Sequence, residues 1–337
     1  MKTKIAGGSL RRTASALAVL IVAGLAPQEA MAGVYDPLAR LTGVKVRHTE
    51  LDIHDRLRKR DIPVRIYLPS TESAAPVILF SHGLGGSREG STYLGRHWAA
   101  RGYAAVFVQH PGSDDSVWRD QAPAKRMAAM KHAANGRNFL LRVRDVPAVL
   151  NQLQIWNGQA KHPLSGRLDL SRIGMSGHSF GARTTQAVSG QAFGRLGRLF
   201  TDDRIQAALI FSPSSPNAGS AAAAFGSVRI PWMLMTGTHD TAPIGTADLE
   251  SRLAVFPNLP RGDKYELVLH KAEHSAFTER SLRGDRLPRN PNHHRVILGL
   301  STAFWDAYLR DNRAAQRWLQ QTGPRALLEE KDRWQCK

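Results

Sequence analysis

One serine lies in a pattern that is typical of an activated nucleophile. The pentapeptide from Gly177 to Gly181 follows a short apolar run, residues 173–176, and precedes a stretch that can form a helix. Glycines lie two residues before and two residues after Ser179, where side chains would collide in a sharp strand-to-helix turn. The turn places the serine at a helix N-terminus, whose unpaired N–H groups favour negative charge. The pattern predicts that Ser179 is a catalytic nucleophile.

A glycine-rich loop upstream could supply a second part of such a site. Residues 76–80 are apolar and predict a strand buried on both faces. Residues 81–86, Ser-His-Gly-Leu-Gly-Gly, follow that strand directly. In enzymes with this kind of turn, one oxyanion donor comes from such a loop and the other from the residue after the nucleophile. We expect the N–H groups of Leu84 and Phe180 in these roles. The alternative is that the loop is only a tight connection.

Two later apolar runs lead to residues that could complete a catalytic triad. Residues 231–235 precede Asp240, and residues 265–269 precede His274. Both residues are thereby predicted to follow the carboxyl ends of strands, where sites form in open α/β sheets. The order Ser179, then Asp240, then His274 is the one expected for a serine on such a turn.

Other acids and histidines fit these roles less well. Asp202 and Asp203 precede the apolar run 205–211, which puts them at the opposite end of the predicted sheet. His239 comes before Asp240, against the expected order. We expect the remaining histidines to be structural: His178 shapes the turn, His270 points into the core or the site, and His293 and His294 are surface or capping residues.

The three predicted triad residues would divide the work of an acyl transfer. A serine hydroxyl is a poor nucleophile at neutral pH, so neutral His274 would take its proton during attack and return it to the leaving group. Ionised Asp240 would fix the tautomer of His274 and stabilise the imidazolium. This chemistry requires no cofactor and no metal.

The first 32 residues have the features of a secretory signal peptide. A basic start is followed by an apolar stretch, residues 14–25, and by Ala30-Met31-Ala32, a small-residue cleavage site before Gly33. We therefore expect a periplasmic or secreted protein. Arg11 and Arg12 also allow the twin-arginine route, although two ordinary leader arginines explain them more simply.

Length and composition indicate one globular domain. We expect it at residues 33–321, followed by a charged tail, residues 322–337, of which residues 329–337 fray. Cys336 is the only cysteine, which rules out a disulfide within the chain. No set of histidine or cysteine ligands lies near Asp114 and Asp115, so a polar turn is expected there rather than a metal site.

The formal net charge is +18. This charge could favour anionic membranes, lipopolysaccharide or acidic substrates, although an arginine-rich exported protein is the simpler interpretation. The basic residues are scattered and form no nucleic-acid-binding signature, so no nucleic acid is expected as a partner.

Apolar runs alternate with helical stretches, which predicts an α/β fold with a mostly parallel, doubly wound sheet and helices on both faces. An early antiparallel strand is expected at residues 64–68. In the helical segment 123–154, we expect Pro147 to interrupt the helix and Asp145 to cap a second one. The irregular stretches 110–118 and 212–226 are expected to border the pocket.

The two motifs around Gly83 and Ser179 resemble those of α/β-hydrolases related to platelet-activating-factor acetylhydrolase, whose bacterial members are often labelled dienelactone-hydrolase-like. The resemblance covers roughly residues 64–319 and implies an α/β-hydrolase fold. It implies the triad Ser179, Asp240 and His274, and an oxyanion hole at Leu84 and Phe180. Dienelactone hydrolases proper use a cysteine nucleophile, so the serine argues against a dienelactone substrate.

These observations predict an exported serine hydrolase that cleaves carboxylic esters through an acyl-enzyme. The resemblance implies short-chain esters as substrates, including phospholipids with short or oxidised sn-2 acyl chains. A polyester or cutinase-like hydrolase and a peptidase are alternatives on the same fold. A catalytically silent binding protein is a third alternative, against which the intact triad argues.

Overall fold

Nine strands of the described chain form one β-sheet. The computed structural model describes residues 1–3, 35–39, 44–282 and 284–337. The strands are β1 (Arg47–Asp55), β2 (Arg60–Leu68), β3 (Ala75–Ser81), β4 (Ala104–Val108), β5 (Leu168–His178), β6 (Ile205–Phe211), β7 (Trp232–His239), β8 (Lys264–Glu273) and β9 (Arg333–Cys336). Their order in the sheet is β1-β2-β4-β3-β5-β6-β7-β8-β9.

The six central strands, β3 to β8, run parallel. The outer strands β1, β2 and β9 pair antiparallel at the two sides of the sheet. The register aligns Ser81 with Gly177, and His178 with Phe211. The carboxyl ends of β3, β5 and β6 therefore meet at one edge of the sheet, where ligand sites form in α/β proteins.

Helices cover both faces of this sheet. They are α1 (Thr92–Ala100), α2 (Ser116–Arg119), α3 (Pro123–Ala133), α4 (Gly136–Gly158), α5 (Phe180–Val188), α6 (Ala221–Phe225), α7 (Leu249–Leu253), α8 (Pro291–Leu309) and α9 (Arg313–Gln320). Alternate residues of β3 point to opposite sides: Ile78 and Phe80 pack with α1 and α8, and Val77 and Leu79 pack with α4 and α5. This alternation follows from the period of two in a strand.

The predicted α/β class and mostly parallel sheet are confirmed. The prediction for residues 123–154 is wrong in its position of the helix break. The break falls at Ala134 and Asn135, where the side chain of Asn135 accepts the N–H of Asn138 and caps α4. Pro147 lies inside a continuous 23-residue helix. Asp145 does not cap a helix, because its carboxylate is buried and bound to the side chains of Arg60 and His110.

The carboxyl end of the chain pairs with the sheet, whereas most of the first 34 residues lie outside the described range. The predicted signal peptide, residues 1–32, lies outside the described residues except for its first three. Across the part of the chain that the structure describes, no helix is both long and apolar enough to cross a membrane. The expected frayed tail is wrong, because residues 333–336 form β9 and pair with β8. Trp334 of this strand stacks on Tyr265, which anchors the tail to the sheet.

Candidate active site

Ser179 lies at the sharp turn between β5 and α5. Its backbone has φ 60° and ψ −112°, a conformation that is strained for a residue with a side chain. A Cβ atom at Gly177 would collide with the carbonyl oxygen of Gly181, and one at Gly181 would collide with that of Ser81. Only glycine fits both positions, which explains the spacing of the motif. The N–H of Ser179 donates to the carbonyl of Phe211 at 3.1 Å, which ties the turn to β6.

The structure brings together the three residues that the sequence selected. Nε2 of His274 lies 2.8 Å from Oγ of Ser179, and Nδ1 of His274 lies 2.7 Å from Oδ1 of Asp240. Asp240 follows β7, and His274 begins a 3₁₀ turn directly after β8. Asp240 and His274 are buried, while Ser179 is partly exposed. The hydroxyl is thus the member of this group that a solute can reach.

Asp240 is held as a carboxylate by several neighbours. Thr236 donates to Oδ2 at 2.8 Å, and Nε of Arg252 lies 3.1 Å from Oδ1. Burial opposes ionisation of Asp240, but the nearby His274 and Arg252 outweigh it and hold the pKa at about 2. The carboxylate is therefore ionised throughout the neutral range. It accepts the Nδ1–H of His274, which leaves Nε2 free to accept a proton from Ser179.

The loop at residues 82–86, here named the Gly83 loop, lies beside Ser179. A Cβ atom added to Gly83 would be 3.5 Å from the Cβ atom of Ser179. Neither the N–H of Leu84 nor that of Phe180 finds a protein acceptor in the described residues. Phe180 is the first residue of α5, and the N–H groups of the first turn of a helix have no acceptor within the helix. Both N–H groups are therefore available to a ligand, as the donors of an oxyanion hole must be.

The other histidines lie elsewhere or support the site. His178 is buried, and its Nε2–H donates to the carbonyl of His274 at 3.1 Å, so it braces the triad as well as the turn. His239 is exposed and contacts Thr238. The expectation that His293 is a surface or capping residue is wrong: it is buried and contacts the carbonyl of His270, and Asn290 caps the helix.

A second serine–histidine–aspartate chain of hydrogen bonds lies in the interior. Oγ of Ser81 is 2.9 Å from Nε2 of His110, and Nδ1 of His110 is 2.9 Å from Oδ2 of Asp145. All three side chains are fully buried, so an ester cannot reach this serine. Asp145 also accepts from Arg58 and Arg60. Burial lowers the pKa of His110 to about 4, so the ring is neutral at neutral pH, and its two hydrogen bonds link β3 to α4.

Two buried arginines beside the site were missed by the sequence analysis. Arg252 donates to the carbonyls of Ser212 and Pro213 as well as contacting Asp240. Arg142 donates to the carbonyl of His82 at 2.6 Å. Nothing in the sequence distinguishes these two from the many exposed arginines of this chain, because burial of a charge depends on tertiary packing.

The described residues contain no cluster of three or more histidine, cysteine or carboxylate side chains that could hold a metal ion. The groups around Ser179 are of the types that covalent catalysis uses: a hydroxyl, an imidazole within hydrogen-bond distance, a carboxylate bound to that imidazole, and N–H groups without a protein acceptor. A scan against models of known protein families finds no match to this chain, and a search of curated proteins finds none either.

Proposed function

We propose that this protein is a serine hydrolase that cleaves carboxylic esters through an acyl-enzyme. The observation that carries the proposal is the position of His274, which contacts Ser179 at 2.8 Å and Asp240 at 2.7 Å. These distances lie within the range required for proton transfer between a nucleophile and its base. The strained turn and the burial of the two supporting residues are further support, because such strain persists where function requires it.

In the proposed first step, Oγ of Ser179 attacks the ester carbonyl while its proton passes to Nε2 of His274. The carbonyl oxygen becomes an oxyanion that accepts hydrogen bonds from the N–H groups of Leu84 and Phe180. Collapse of the tetrahedral intermediate breaks the ester C–O bond, and His274 returns the proton to the departing alkoxide. The products are the alcohol and an acyl-enzyme on Ser179.

In the second step a water molecule attacks the acyl-enzyme. Nε2 of His274 accepts one proton from the water, and the same two N–H groups stabilise the second oxyanion. Collapse of this intermediate releases the carboxylic acid and returns the proton to Oγ of Ser179. Asp240 stays ionised in both steps and stabilises each imidazolium.

We extend the proposal to the fold and to the substrate class. A nucleophilic serine on a strand-to-helix turn at the carboxyl edge of a mostly parallel sheet supports an α/β-hydrolase fold. The motifs' resemblance to relatives of platelet-activating-factor acetylhydrolase favours short acyl esters, including phospholipids with a short or oxidised sn-2 chain. The sequence of residues 1–32 favours export, with Gly33 as the first residue after cleavage. N-terminal sequencing of periplasmic or secreted protein tests the last point.

The composition of one exposed loop supports the proposal that the protein binds its substrate at an anionic lipid surface. Leu196 and Leu199 are 65% and 58% exposed, and Arg195 and Arg198 flank them. Residues 186–201 contain no acid. Exposed leucines among arginines suit the boundary between lipid headgroups and acyl chains. We name residues 194–199 the leucine loop.

The leucine loop is attached close to the candidate site. Phe193 and Phe200, on either side of it, pack against Phe139 at ring distances of 6.0 and 6.1 Å. Phe139 lies one helical turn before Arg142 on α4, and Arg142 contacts Phe180 beside the nucleophile. Through Phe139 and Arg142, α4 thus connects the leucine loop to Phe180, the residue that follows Ser179.

Hydrolysis of p-nitrophenyl esters tests the proposed function. Wild-type protein should hydrolyse the acetate and butyrate faster than the palmitate, and Ser179→Ala should hydrolyse none of them. Ser176→Ala is the matched control, because Ser176 is buried three residues away and contacts no polar partner in the described chain. Absence of hydrolysis by the wild-type protein, with a short-acyl phospholipid included among the substrates, would contradict the proposal.

A further inference from the structure

Arg142 is a buried cation without a carboxylate partner. Its side chain is fully buried, and no salt bridge connects it to an acid within the described residues. Its donors instead meet neutral oxygen atoms: the carbonyl of His82 at 2.6 Å, and the hydroxyl and carbonyl of Ser113 at 2.8 and 3.2 Å. Burial lowers the pKa of Arg142 to about 9, so it remains charged at neutral pH.

A buried charge of this kind is costly for stability. Moving a cation out of water is expensive, and apolar residues of similar size often stabilise a core better than a buried charge does. The fold nevertheless directs several carbonyl oxygens towards Arg142. This arrangement is expected where the charge or its hydrogen bonds serve the site.

The contacts of Arg142 fall on both halves of the candidate oxyanion hole. On one side, Nη1 holds the carbonyl of His82, and Nη2 lies 3.4 Å from the carbonyl of Gly83. On the other side, the guanidinium carbon lies 4.5 Å from the centre of the Phe180 ring. One side chain thus connects the Gly83 loop to the first residue of α5.

The direction of the Gly83 carbonyl determines the direction of the Leu84 N–H. In a trans peptide the C=O and the following N–H point to opposite sides. The carbonyl of Gly83 accepts from the N–H of Gly86 at 3.1 Å and from Nδ1 of His82 at 2.6 Å, and it faces Arg142. The N–H of Leu84 is therefore turned away from these three donors.

The tautomer of His82 is consistent with this arrangement. Its Nε2 accepts the backbone N–H of His110 at 3.1 Å, so the proton of the neutral ring is on Nδ1, which donates to Gly83. Burial and the neighbouring Arg142 lower the pKa of His82 well below its ordinary value, which keeps the ring neutral. His82 and Arg142 then both act as donors to the same loop.

We propose that Arg142 is a positioning residue of the oxyanion hole. It fixes the Gly83 loop through carbonyl oxygens and Phe180 through its ring, so that the N–H groups of Leu84 and Phe180 are in place before the substrate binds. Its positive charge lies close to both segments and so also favours the negative charge that develops on the substrate in the transition state. This inference rests on the proposed function.

The test compares Arg142→Met and Arg142→Lys with the wild-type protein. Arg144→Gln is the matched control, because Arg144 is exposed two positions further along the same helix. For each protein, kcat and KM are measured with p-nitrophenyl acetate, and folding is followed by thermal unfolding. Inhibition is measured with a trifluoromethyl ketone, which adds to the serine as an oxyanion, and with the matching methyl ketone, which binds mainly as a neutral ligand.

We expect Arg142→Met to lower kcat by about 10- to 100-fold, somewhat less than the loss of a direct oxyanion donor. KM and methyl ketone binding should change little, whereas trifluoromethyl ketone binding should weaken by about the same factor as kcat. Arg142→Lys should lie between Arg142→Met and the wild type, and Arg144→Gln should match the wild type.

Three outcomes would overturn the inference: an Arg142→Met protein with wild-type kcat, equal weakening of both ketones, or failure of both Arg142 variants to fold, which would assign the residue to stability alone. If the wild-type protein neither hydrolyses esters nor binds the trifluoromethyl ketone, the proposed function itself is wrong, and this result is distinguishable from the other three.

Discussion

Arg252 and Asp240 form an ion pair in the interior, with Nε of the arginine 3.1 Å from Oδ1 of the aspartate. The side chains are 2% and 0% exposed, respectively. The same carboxylate oxygen accepts from His274, so the cation and the imidazole share one acceptor. Arg252 thereby anchors the loop that carries Asp240, and it lies close enough to affect the charge balance of the triad.

Removal of Arg252 should destabilise the protein strongly. The change Arg252→Met leaves Asp240 buried with one fewer partner and removes donors from the carbonyls of Ser212 and Pro213. Breaking a buried pair in this way costs about 3–5 kcal/mol in the free energy of unfolding. Denaturation by urea measures this change.

The matched control for Arg252→Met is Arg204→Gln. Arg204 pairs with Asp202 at 2.6 Å, but the arginine side chain is 36% exposed. Exposed pairs contribute at most about 1 kcal/mol. Equal losses for the two variants would show that burial does not determine the contribution of the Arg252 pair.

The change Asp240→Asn should nearly abolish ester hydrolysis. An asparagine can hold the wrong tautomer of His274 and supplies no negative charge to the imidazolium, which lowers kcat by about 10⁴-fold in triads of this kind. Asp203→Asn is the control, because Asp203 is exposed and lies at the other end of the sheet. Rates near the wild-type value for Asp240→Asn would transfer the orienting role to another acid.

Stability should decrease as the pH falls below neutrality. Burial lowers the pKa of His97 from 6.5 to about 4, so between these values the unfolded chain takes up a proton that the folded chain does not. The contribution of His97 to the free energy of unfolding is thus fully present above pH 6.5. It is lost progressively as the pH falls towards 4, by up to about 1.4 kcal/mol per pH unit.

The change His97→Gln tests this pH dependence. Glutamine can still contact Thr302, which lies 2.7 Å from Nε2 of His97. Between pH 6.5 and pH 4, the slope of the unfolding free energy against pH should decrease by about 1.4 kcal/mol per pH unit, the equivalent of one bound proton. His132→Gln, at an exposed position, should leave the slope unchanged. An unaltered slope for His97→Gln would mean that His97 does not remain neutral in the folded protein.

The central strands of the sheet could be predicted from the sequence, whereas the edge strands could not. The apolar run at residues 205–211 predicts β6 with its observed bounds, because a central parallel strand is buried on both faces. β1 and β9 were missed. β1 alternates polar and apolar residues at an exposed side of the sheet, and β9 has only four residues, so both give weak signals.

The three residues of the proposed triad could be selected from the sequence because each follows a strand and the order is constrained. Arg142 and Arg252 could not, because their roles depend on which carbonyls and rings surround them after folding. Pro147 shows the same limit: its intrinsic preference predicts a helix break, but buried neighbours of α4 such as Val146 and Val149 keep the helix continuous.

The leucine loop should couple activity to anionic lipid. Hydrolysis of a short ester in phosphatidylglycerol-containing vesicles should fall as salt rises to physiological strength, where the screening length is about 8 Å. Hydrolysis of a soluble neutral ester should not change with salt. The double change Arg195→Gln with Arg198→Gln should weaken vesicle binding by an order of magnitude or more, at about 1 kcal/mol per basic residue.

Leu196→Ser combined with Leu199→Ser should also weaken vesicle binding while leaving hydrolysis of the soluble ester unchanged. Ile155→Ser is the control, because Ile155 is 59% exposed on α4 and residues 151–159 around it contain no basic residue. Equal wild-type rates on anionic and zwitterionic vesicles at low salt would show that the loop and its charge have no part in substrate access.

Covalent labelling of the wild-type protein with a fluorophosphonate, followed by peptide mapping, tests the central claim most directly. The reagent reacts with a serine only when a base and an oxyanion hole activate it. We predict one adduct per chain, on Ser179, which is absent in Ser179→Ala and retained in Ser176→Ala. An adduct on any other serine, or a wild-type protein that remains unlabelled, would contradict the assignment of Ser179 as the nucleophile.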